Sequence, residues 1–416
     1  MRAKLLKPYK EIFSYPGSLA FSLAGLITRM PMSMTGLAII LLIFAKTGSY
    51  GTAGAVVAAY SIAQSFVGPR WARMADRIGQ SNTIRKALPF HIAGLLLIVI
   101  LVSVKTPPGF WYFSALLAAT FSVQTGSLIR RRWHYIMIGK AVDDESLARG
   151  NGLLNSAWSF EALVDEVVFI VGPIVATVLC TQVAPAAGLL AGISFVTIGS
   201  IFLLTQGESA PPTMADLGEK HSGGVWKMPA CLNVTSVNFF LGAYFGAVEL
   251  AVVAICTQAG AKPLSGVLLA VWAFGSGVAA IANGIFAARF HPAPRFLIAL
   301  LSLTLLSIGP LLTHSLLTLG IALFFSGFAI SPVLIAGVSV VERLVPDVQM
   351  TEAIAIVTMG FPIGSSAGAF ISGQFLDRHT AHLGLWLPLG FLTTAVLISL
   401  LRFSSWRTIL RASHRS

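Results

Sequence analysis

The sequence predicts an all-α membrane protein with twelve transmembrane helices in two six-helix bundles. Three observations predict this fold class: an apolar composition, the number and length of the apolar stretches, and the placement of basic residues between them. Of the 416 residues, 56% are hydrophobic and 11% are charged. A soluble domain of this composition would have too little polar surface. In lipid, by contrast, apolar side chains face the solvent and the backbone polar groups bond within their own helices.

Twelve apolar stretches are each about long enough to cross a hydrocarbon core of roughly 30 Å as a helix. The first six lie at 19–45, 51–71, 88–104, 109–129, 160–180 and 186–205, and the other six at 230–256, 264–288, 296–312, 316–341, 351–374 and 384–401. We therefore predict an N-terminal bundle over 1–205, a flexible cytoplasmic linker over 206–228, and a C-terminal bundle with a short basic tail over 229–416. Two parallel six-helix repeats are typical of transporters that rock about a central site.

Basic residues alternate between the two sides of the membrane. If every second gap faces the same side, and Arg70 at the end of the second stretch is counted with the gap that follows it, 23 of the 28 Lys and Arg residues fall on the side that includes both termini. The opposite side holds four, and the last, Arg29, lies inside the first stretch. An error of one span would destroy this pattern, so it supports the span count. The positive-inside rule then predicts a multi-pass protein of the plasma or inner membrane with both termini in the cytoplasm.

Several other classes of protein are excluded by the same data. The net charge of +12 lies in short loops and tails beside anionic headgroups, so we expect no nucleic-acid partner. The first apolar stretch is about twice as long as a signal-peptide core and is predicted to be a retained helix. Cys180, Cys231 and Cys256 have neither disulfide nor metal-site spacing, and the sequence predicts no metal and no cofactor. The absence of a convergent catalytic group predicts that the protein is not an enzyme.

The gap between the second and third stretches carries a motif. It includes Ala75-Asp76-Arg77-Ile78-Gly79. This segment resembles the loop signature of the major facilitator superfamily, Gly-x-Leu-Ala-Asp-Arg-x-Gly-Arg. Ala72 and Gln80 depart from the signature, and Met74 substitutes for Leu. The likeness in layout covers nearly the whole chain and implies the two-bundle transporter fold.

In that family this loop bridges the two halves near the start of the eleventh span when the cytoplasmic side is closed. The resemblance therefore implies a conformational latch, with Asp76 able to cap a neighbouring helix and to pair with Arg73 or Arg77. The candidate latch residues are Arg73, Asp76, Arg77 and Gly79. The alternative is ordinary positive-inside charge with one acidic counter-ion. The polar stretch 130–151 is predicted to be a solvated loop, in which Asp143 or Asp144 caps a helix that runs into the fifth span.

Five ionisable side chains lie within or at the rim of the spans: Arg29, Glu161, Asp165, Glu166 and Glu249. A charge at the centre of a membrane helix costs roughly 2.5–3.5 kcal/mol, so each is expected to be paired, hydrated or functional. Spans one and five are neighbours in the family fold, which implies a pair between Arg29 and Asp165 or Glu166. Glu161 is expected near the headgroups. Like charges at low dielectric are costly, which makes these acids candidates for proton coupling. A static structural ion pair is the alternative.

Polar residues in other spans are candidates for lining a substrate cavity, namely Glu249, Asn238, Tyr244 and Gln124. The three uncharged ones could equally bridge helices. Gly172-Pro173 in the fifth span and Pro362 in the eleventh predict helix kinks, because proline removes a backbone donor. The family's antiporters carry a Gly-rich stretch ending in Gly-Pro at this place in the fifth span, of which only the Gly-Pro is present here; Val168 replaces another glycine.

No phosphate-binding loop of the Gly-x-x-x-x-Gly-Lys-Ser/Thr type occurs in the sequence, so the energy for transport must come from a gradient. The sequence predicts a secondary active transporter of a small organic solute, acting by proton-coupled efflux and functional as a monomer. Its partners are the substrate, protons and the lipid bilayer. One alternative is a proton symporter or facilitator for a sugar or another nutrient. A membrane-embedded enzyme or sensor is an alternative of another class.

Overall fold

The computed structural model describes residues 9–213, 229–286, 292–344 and 350–401, and all of its regular structure there is helical. The helices of the first half are α1 Ser18–Thr47, α2 Tyr50–Ile78, α3 Gln80–Ser103, α4 Pro108–Thr120, α5 Thr125–His134, α6 Asp144–Val178 and α7 Ala187–Leu204. Those of the second half are α8 Pro229–Gln258, α9 Leu264–Phe286, α10 Pro292–Leu306, α11 Leu316–Phe328, α12 Ile330–Leu344, α13 Met350–Leu376 and α14 Trp386–Leu401. Most of the predicted linker and the basic tail lie outside the described residues.

Eleven helical segments of the described ranges are long and apolar enough to cross a membrane. They coincide with eleven of the twelve predicted spans. The remaining predicted span, 51–71, lies inside α2, which is helical but less apolar because Gln64 and several hydroxyl side chains interrupt it. The all-helical membrane fold is therefore confirmed, whereas twelve spans in two bundles stay a prediction.

The predicted fourth span is not one continuous helix. Its residues form α4 and α5, separated by Phe121–Gln124. The indole of Trp71 donates a hydrogen bond of 2.6 Å to the carbonyl oxygen of Thr120, the last residue of α4. A side chain of another helix thus takes the place of an intrahelical donor at the break, which hydropathy cannot reveal.

Helix α6 begins well before the apolar stretch that it contains. Asp143 is its N-cap, and the Asp143 carboxylate accepts a 2.8 Å hydrogen bond from the backbone N–H of Ser146. The prediction that an acid here caps a helix running into the fifth span is confirmed. The hydrogen bonds from Ser146 hold the pKa of Asp143 below its usual value. The cap therefore stabilises the helix above the ordinary carboxyl pKa and loses this effect as the pH falls through the lowered one.

The described residues cluster into two compact units, one of 9–38 with 66–213 and one of 39–65 with 229–401. In the first unit, the apolar side chains of Phe21, Ile129 and Trp133 belong to a buried core cluster. The domain boundaries at 205 and 229 stay a prediction, since most of the residues between them are not described.

Arg132 of α5 is fully buried in the first unit. Its guanidinium donates to Gln80 Oε1 at 2.8 Å, to Ser209 Oγ at 2.8 Å and to the carbonyl oxygens of Gln206 and Leu203 at 2.9 and 3.3 Å. Several of these acceptors lie at the carboxyl end of α7, where a cation also interacts favourably with the helix dipole. The sequence predicted a solvated loop at this position, which is wrong for Arg132: four of its five donors find acceptors on three segments.

In the second unit, α8 and α13 pack along each other through small residues. A Cβ placed on Gly364 would collide with the carbonyl oxygen of Phe239, and one placed on Gly368 would collide with that of Ala243. Two backbones can approach this closely only where side chains are absent, as at the small-residue interfaces of other membrane helices.

Candidate functional site

The charges predicted to lie in the membrane meet at Arg29, which is 2% exposed. Its Nη2 lies 2.5 Å from Glu161 Oε2, its Nη1 lies 2.8 Å from Asp165 Oδ1, and its Nε donates to the carbonyl oxygen of Gly25 at 3.0 Å. Glu161 and Asp165 are one turn apart on α6, so one guanidinium can reach both carboxylates. The structure thus pairs Arg29 with Asp165, one of the two partners left open by the sequence, and adds Glu161.

Glu161 is the most enclosed member of this charge network. Its side chain has no exposed surface, and Oε1 accepts hydrogen bonds from Trp133 Nε1 at 2.7 Å and from Ser22 Oγ at 3.4 Å. Because α6 starts at Asp144 rather than at the apolar stretch, Glu161 lies about five turns into the helix, where neighbouring helices enclose it. The expectation that Glu161 lies near the headgroups stays a prediction.

Asp165 joins the buried part of the network to its surface. Its Oδ2 lies 2.9 Å from Nη2 of Arg130, with which it forms an ion pair. The Arg130 side chain is 46% exposed and that of Asp165 is 24% exposed. Two arginines and two acids give the network a formal charge of zero. Glu166 is half-buried and, within the ranges that the structure describes, forms neither a hydrogen bond nor an ion pair.

The loop motif forms an ion pair, although with a different partner from the expected one. Asp76 pairs with Arg131 of α5, not with Arg73 or Arg77, both of which are exposed. Gly79 has φ of 86° and separates α2 from α3, a backbone conformation that favours glycine. The residues before α13, 345–349, are not described, so a contact of the loop with the start of the eleventh span lies outside the structure.

Two of the four candidates for a substrate cavity serve as helix contacts in the second unit. Asn238 Nδ2 donates to the carbonyl oxygen of Val357 at 2.9 Å and so joins α8 to α13. The hydroxyl of Tyr244 accepts a 3.3 Å hydrogen bond from Ser307, and its ring packs edge-on against Trp272. Both side chains are buried, which fits the helix-bridging alternative that the sequence left open.

The other two candidates are more accessible. Gln124 is exposed at the N-cap of α5, in the break after α4. Glu249 is half-buried on α8. It lies three residues after Gly246, which packs against the backbone of α13, and it shares that face of the helix. No hydrogen bond or ion pair joins Glu249 to any described residue.

Proline lies inside several of the helices, including α6 and α13, for which the sequence predicts kinks. Helix α6 runs through Gly172 and Pro173, and Ser33 of α1 donates a 2.7 Å hydrogen bond to the carbonyl oxygen of Val168 five residues before the proline. Pro173 removes the backbone donor of the Phe169 carbonyl, four residues before it, so the hydrogen bond from Ser33 joins α1 to α6 directly beside that position. Helix α13 runs through Pro362. The kinks themselves stay a prediction.

Sequence reasoning missed Arg130, Arg132 and Trp133. They were assigned to the polar segment after the fourth span, because three consecutive arginines are typical of a cytoplasmic loop. The available signal was the tryptophan that follows them directly. An indole beside a basic run has an apolar body that needs burial, and burying Trp133 on α5 brings its neighbours into the bundle.

Comparisons with known proteins agree with this architecture. A sequence model of the family described as Major Facilitator Superfamily matches residues 230–409. No curated protein matches the chain. A mutant form of the nucleoside transporter NupG is similar in structure, with 14% identity, coverage of 93% of this chain and 99% of that one, and a TM-score of 0.74.

Two further solved structures give the same result. The POT family transporter PepTSo has 11% identity, covers 95% of this chain and 99% of its own, and gives a TM-score of 0.71. A bacterial homologue of the iron transporter ferroportin, in an inward-facing state, has 12% identity, covers 92% and 98%, and gives a TM-score of 0.66. The chain is therefore a multi-pass membrane protein with the fold of these transporters. Its second half is similar in sequence to the Major Facilitator Superfamily.

Proposed function

We propose that the chain is a secondary active transporter of the Major Facilitator Superfamily, which exports a small organic solute in exchange for protons. It lies in the plasma or inner membrane with both termini in the cytoplasm and works as a monomer by alternating access. The fold shared with several transporters, the family match in the second half and the loop motif in the first half support this proposal.

The observation that carries the proton-coupled mechanism is the charge network around Arg29. Glu161 is sealed and holds three donors, so it fixes the guanidinium in place. Asp165 is partly exposed and bridges Arg29 to Arg130. Protonation of Asp165 removes one negative charge and leaves the network with a net charge of +1. It thereby weakens the ion pair between Asp165 and Arg130. Proton occupancy thereby biases the helix arrangement, because the two states differ in their electrostatic free energy.

The Asp76–Arg131 pair supplies a second switch. Both side chains are partly exposed, and an ion pair at such a surface is worth about 0.2–1 kcal/mol. A contact of this strength can break and re-form in each transport cycle. We propose that Asp76 leaves Arg131 in one conformation to take part in the latch implied by the family motif.

For the substrate path we propose Glu249, since it is a half-buried acid of the second unit and has no partner among the described residues. The Gly172-Pro173 pair supports export, because it is the part of the family's antiporter motif that this chain retains. A proton symporter or facilitator for a nutrient is the second candidate. One of the similar solved structures is a nucleoside transporter, so toxic nucleoside analogues are included in the test of this candidate.

The decisive experiment compares a deletion strain, an overexpressing strain and one that expresses Asp165→Asn. Growth is measured against a panel of toxic organic compounds, which includes toxic nucleoside analogues. Export predicts that overexpression raises resistance to at least one compound and that Asp165→Asn does not. Increased sensitivity to a nucleoside analogue on overexpression would instead establish import. An unchanged growth profile across all strains and compounds would contradict efflux.

A further inference from the structure

The end of α2 and the start of α3 line a small, open basic cavity at the protein surface. Its volume is about 290 Å³, and it is lined by Arg70, Arg73, Met74, Arg77, Ile78 and Lys86. This is close to the lower limit of about 300 Å³ for sites that hold small molecules. The lining residues lie just beyond the apolar part of α2, at the level where the positive-inside pattern places the cytoplasmic headgroups.

Four cationic side chains face this cavity, and its lining contains no acid. Arg70, Arg73, Arg77 and Lys86 are all exposed, and within the described ranges none of them forms an ion pair. Asp76, the acid of this segment, is bound to Arg131 instead. Four like charges in one cavity repel each other, so an anion that enters it would be stabilised by all of them.

Apolar side chains continue from the cavity toward the membrane interior. Phe66 lies four residues before Arg70 on α2, and Phe90 lies four residues after Lys86 on α3, so each shares a helix face with a cation. Phe66 is 54% exposed and Phe90 is 52% exposed. In the predicted topology α2 reaches the cytoplasmic side at the turn around Gly79 and α3 returns from it, so both rings are expected on the membrane side of the charges. Phe90 also stacks on Phe121, with the ring centroids 4.7 Å apart. A soluble anion would leave the exposed parts of Phe66 and Phe90 uncovered, whereas an acyl chain would cover them.

We propose that this cavity binds the phosphate headgroup of an anionic phospholipid, whose acyl chains lie against Phe66 and Phe90. Basic pockets between membrane helices on the cytoplasmic side are suited to such headgroups. Because four cations exceed the charge of one phosphate, the two-phosphate headgroup of cardiolipin binds more tightly than that of phosphatidylglycerol. The site does not depend on transport activity, and its test needs no substrate.

The test is native mass spectrometry of the full-length protein in detergent, titrated with cardiolipin, phosphatidylglycerol or phosphatidylcholine. We expect the order of affinity to follow the headgroup charge. Arg70→Gln and Lys86→Gln should each weaken cardiolipin binding by roughly fivefold, the contribution expected of one cation near an anionic lipid. Arg85→Gln is the matched control. Arg85 is the exposed neighbour of Lys86 on α3 but does not line the cavity, so this change should leave binding unaltered.

Two further measurements test the location of the site and the nature of its ligand. Photo-crosslinking of cardiolipin to the wild-type protein should label peptides that contain Phe66–Met74 or Lys86–Phe90, which tests the site even if a variant does not fold. Excess inorganic phosphate should not displace the lipid. Equal binding of phosphatidylcholine, an equal loss in Arg85→Gln, labelling elsewhere only, or displacement by phosphate would each overturn the proposal.

Discussion

Arg29 has a buried guanidinium with an acceptor for each nitrogen: two carboxylates and one backbone carbonyl. Glu161 in turn binds Arg29, Trp133 and Ser22. In such a network each group depends on the others, because an ion left without its partner in a low-dielectric interior costs several kcal/mol. Glu161, which is fully buried, and Asp165, which is partly exposed, are therefore unequal in their effect on stability, although they are only one turn apart on α6.

We expect Glu161→Gln to lower the free energy of unfolding by about 3–5 kcal/mol, the cost of breaking a buried ion pair. Thermal unfolding of the purified protein in detergent measures this effect. Glu166→Gln is the matched control, since Glu166 lies on the same helix, is half-buried and forms no ion pair with a described residue; its melting temperature should not fall. Equal melting temperatures for wild type and Glu161→Gln would contradict the structural role of Glu161.

Arg132→Lys tests the second buried cation. A lysine has three donors on a flexible stem and cannot reproduce the planar fork that reaches Gln80, Ser209 and the end of α7. Loss of hydrogen bonds to a charged group predicts a destabilisation of about 1.5–3 kcal/mol. Denaturation of Arg130→Lys, whose arginine is half exposed, supplies the comparison. If both substitutions cost the same, the burial of Arg132 is not what stabilises this region.

For single residues, the sequence identified the membrane charges Arg29, Glu161 and Asp165, which interact in the structure, but not all of their partners. Arg29 and Asp165 could be paired, since the family resemblance brings spans one and five together and a charge inside a membrane helix needs a partner. The complete burial of Glu161 within the protein could not be predicted, because it depends on where α6 starts and on the indole of Trp133 that covers this carboxylate. The same indole brings Arg132 inside the bundle, against the prediction of a loop.

At the scale of helices, the α8–α13 contact sets the separation of two long elements in the second unit. Gly364→Ala would place a methyl group on the carbonyl oxygen of Phe239 and force the backbones apart. Overpacking of this kind costs roughly 1–3 kcal/mol. Gly390→Ala on α14 is the control, because open space surrounds that position. The melting temperature should fall for Gly364→Ala only, and a fall of similar size in both would count against a specific helix contact.

The Asp76–Arg131 ion pair, which joins α2 to α5, is expected to affect the turnover rate of transport rather than the affinity for the substrate. Asp76→Asn should slow turnover with little change in the KM for the transported compound, because it alters the balance of conformations and not the substrate contacts. A double-mutant cycle with Arg131→Gln should give a coupling energy of about 0.2–1 kcal/mol, typical of a partly exposed ion pair. Unchanged turnover in Asp76→Asn, or no coupling between the two sites, would contradict the switch.

Hydropathy predicted eleven of the elements because each is a long apolar run. It could not predict the break between α4 and α5, where the indole of Trp71 from another helix donates a hydrogen bond to the carbonyl oxygen of Thr120. The stretch 51–71 was also predicted as a span, and it is helical within α2, although its polar residues give α2 a lower mean hydropathy than the other long helices. Caps were easier to predict: Asp143 starts α6 because an aspartate side chain can satisfy a free backbone N–H locally.

For the whole molecule, the distribution of basic residues carries information that no single helix contains. It predicts the orientation of every span at once, and it places the Asp76 motif and the basic cavity on the cytoplasmic side. Composition predicted a helical membrane protein, and the family resemblance in layout and loop motif implied the fold that the solved transporters share with this chain. The transported compound could not be predicted, because substrate specificity depends on a few side chains and not on the fold.

Transport by the purified protein in liposomes, with wild type and Asp165→Asn compared side by side, tests the central claim most directly. The compound identified by the growth panel is supplied, and its movement is followed under an imposed pH difference and in counterflow without one. We predict that wild type shows both activities, whereas Asp165→Asn loses pH-driven transport and keeps counterflow. Equal loss of both activities in the variant, or pH-driven transport that survives the substitution, would contradict proton coupling through Asp165.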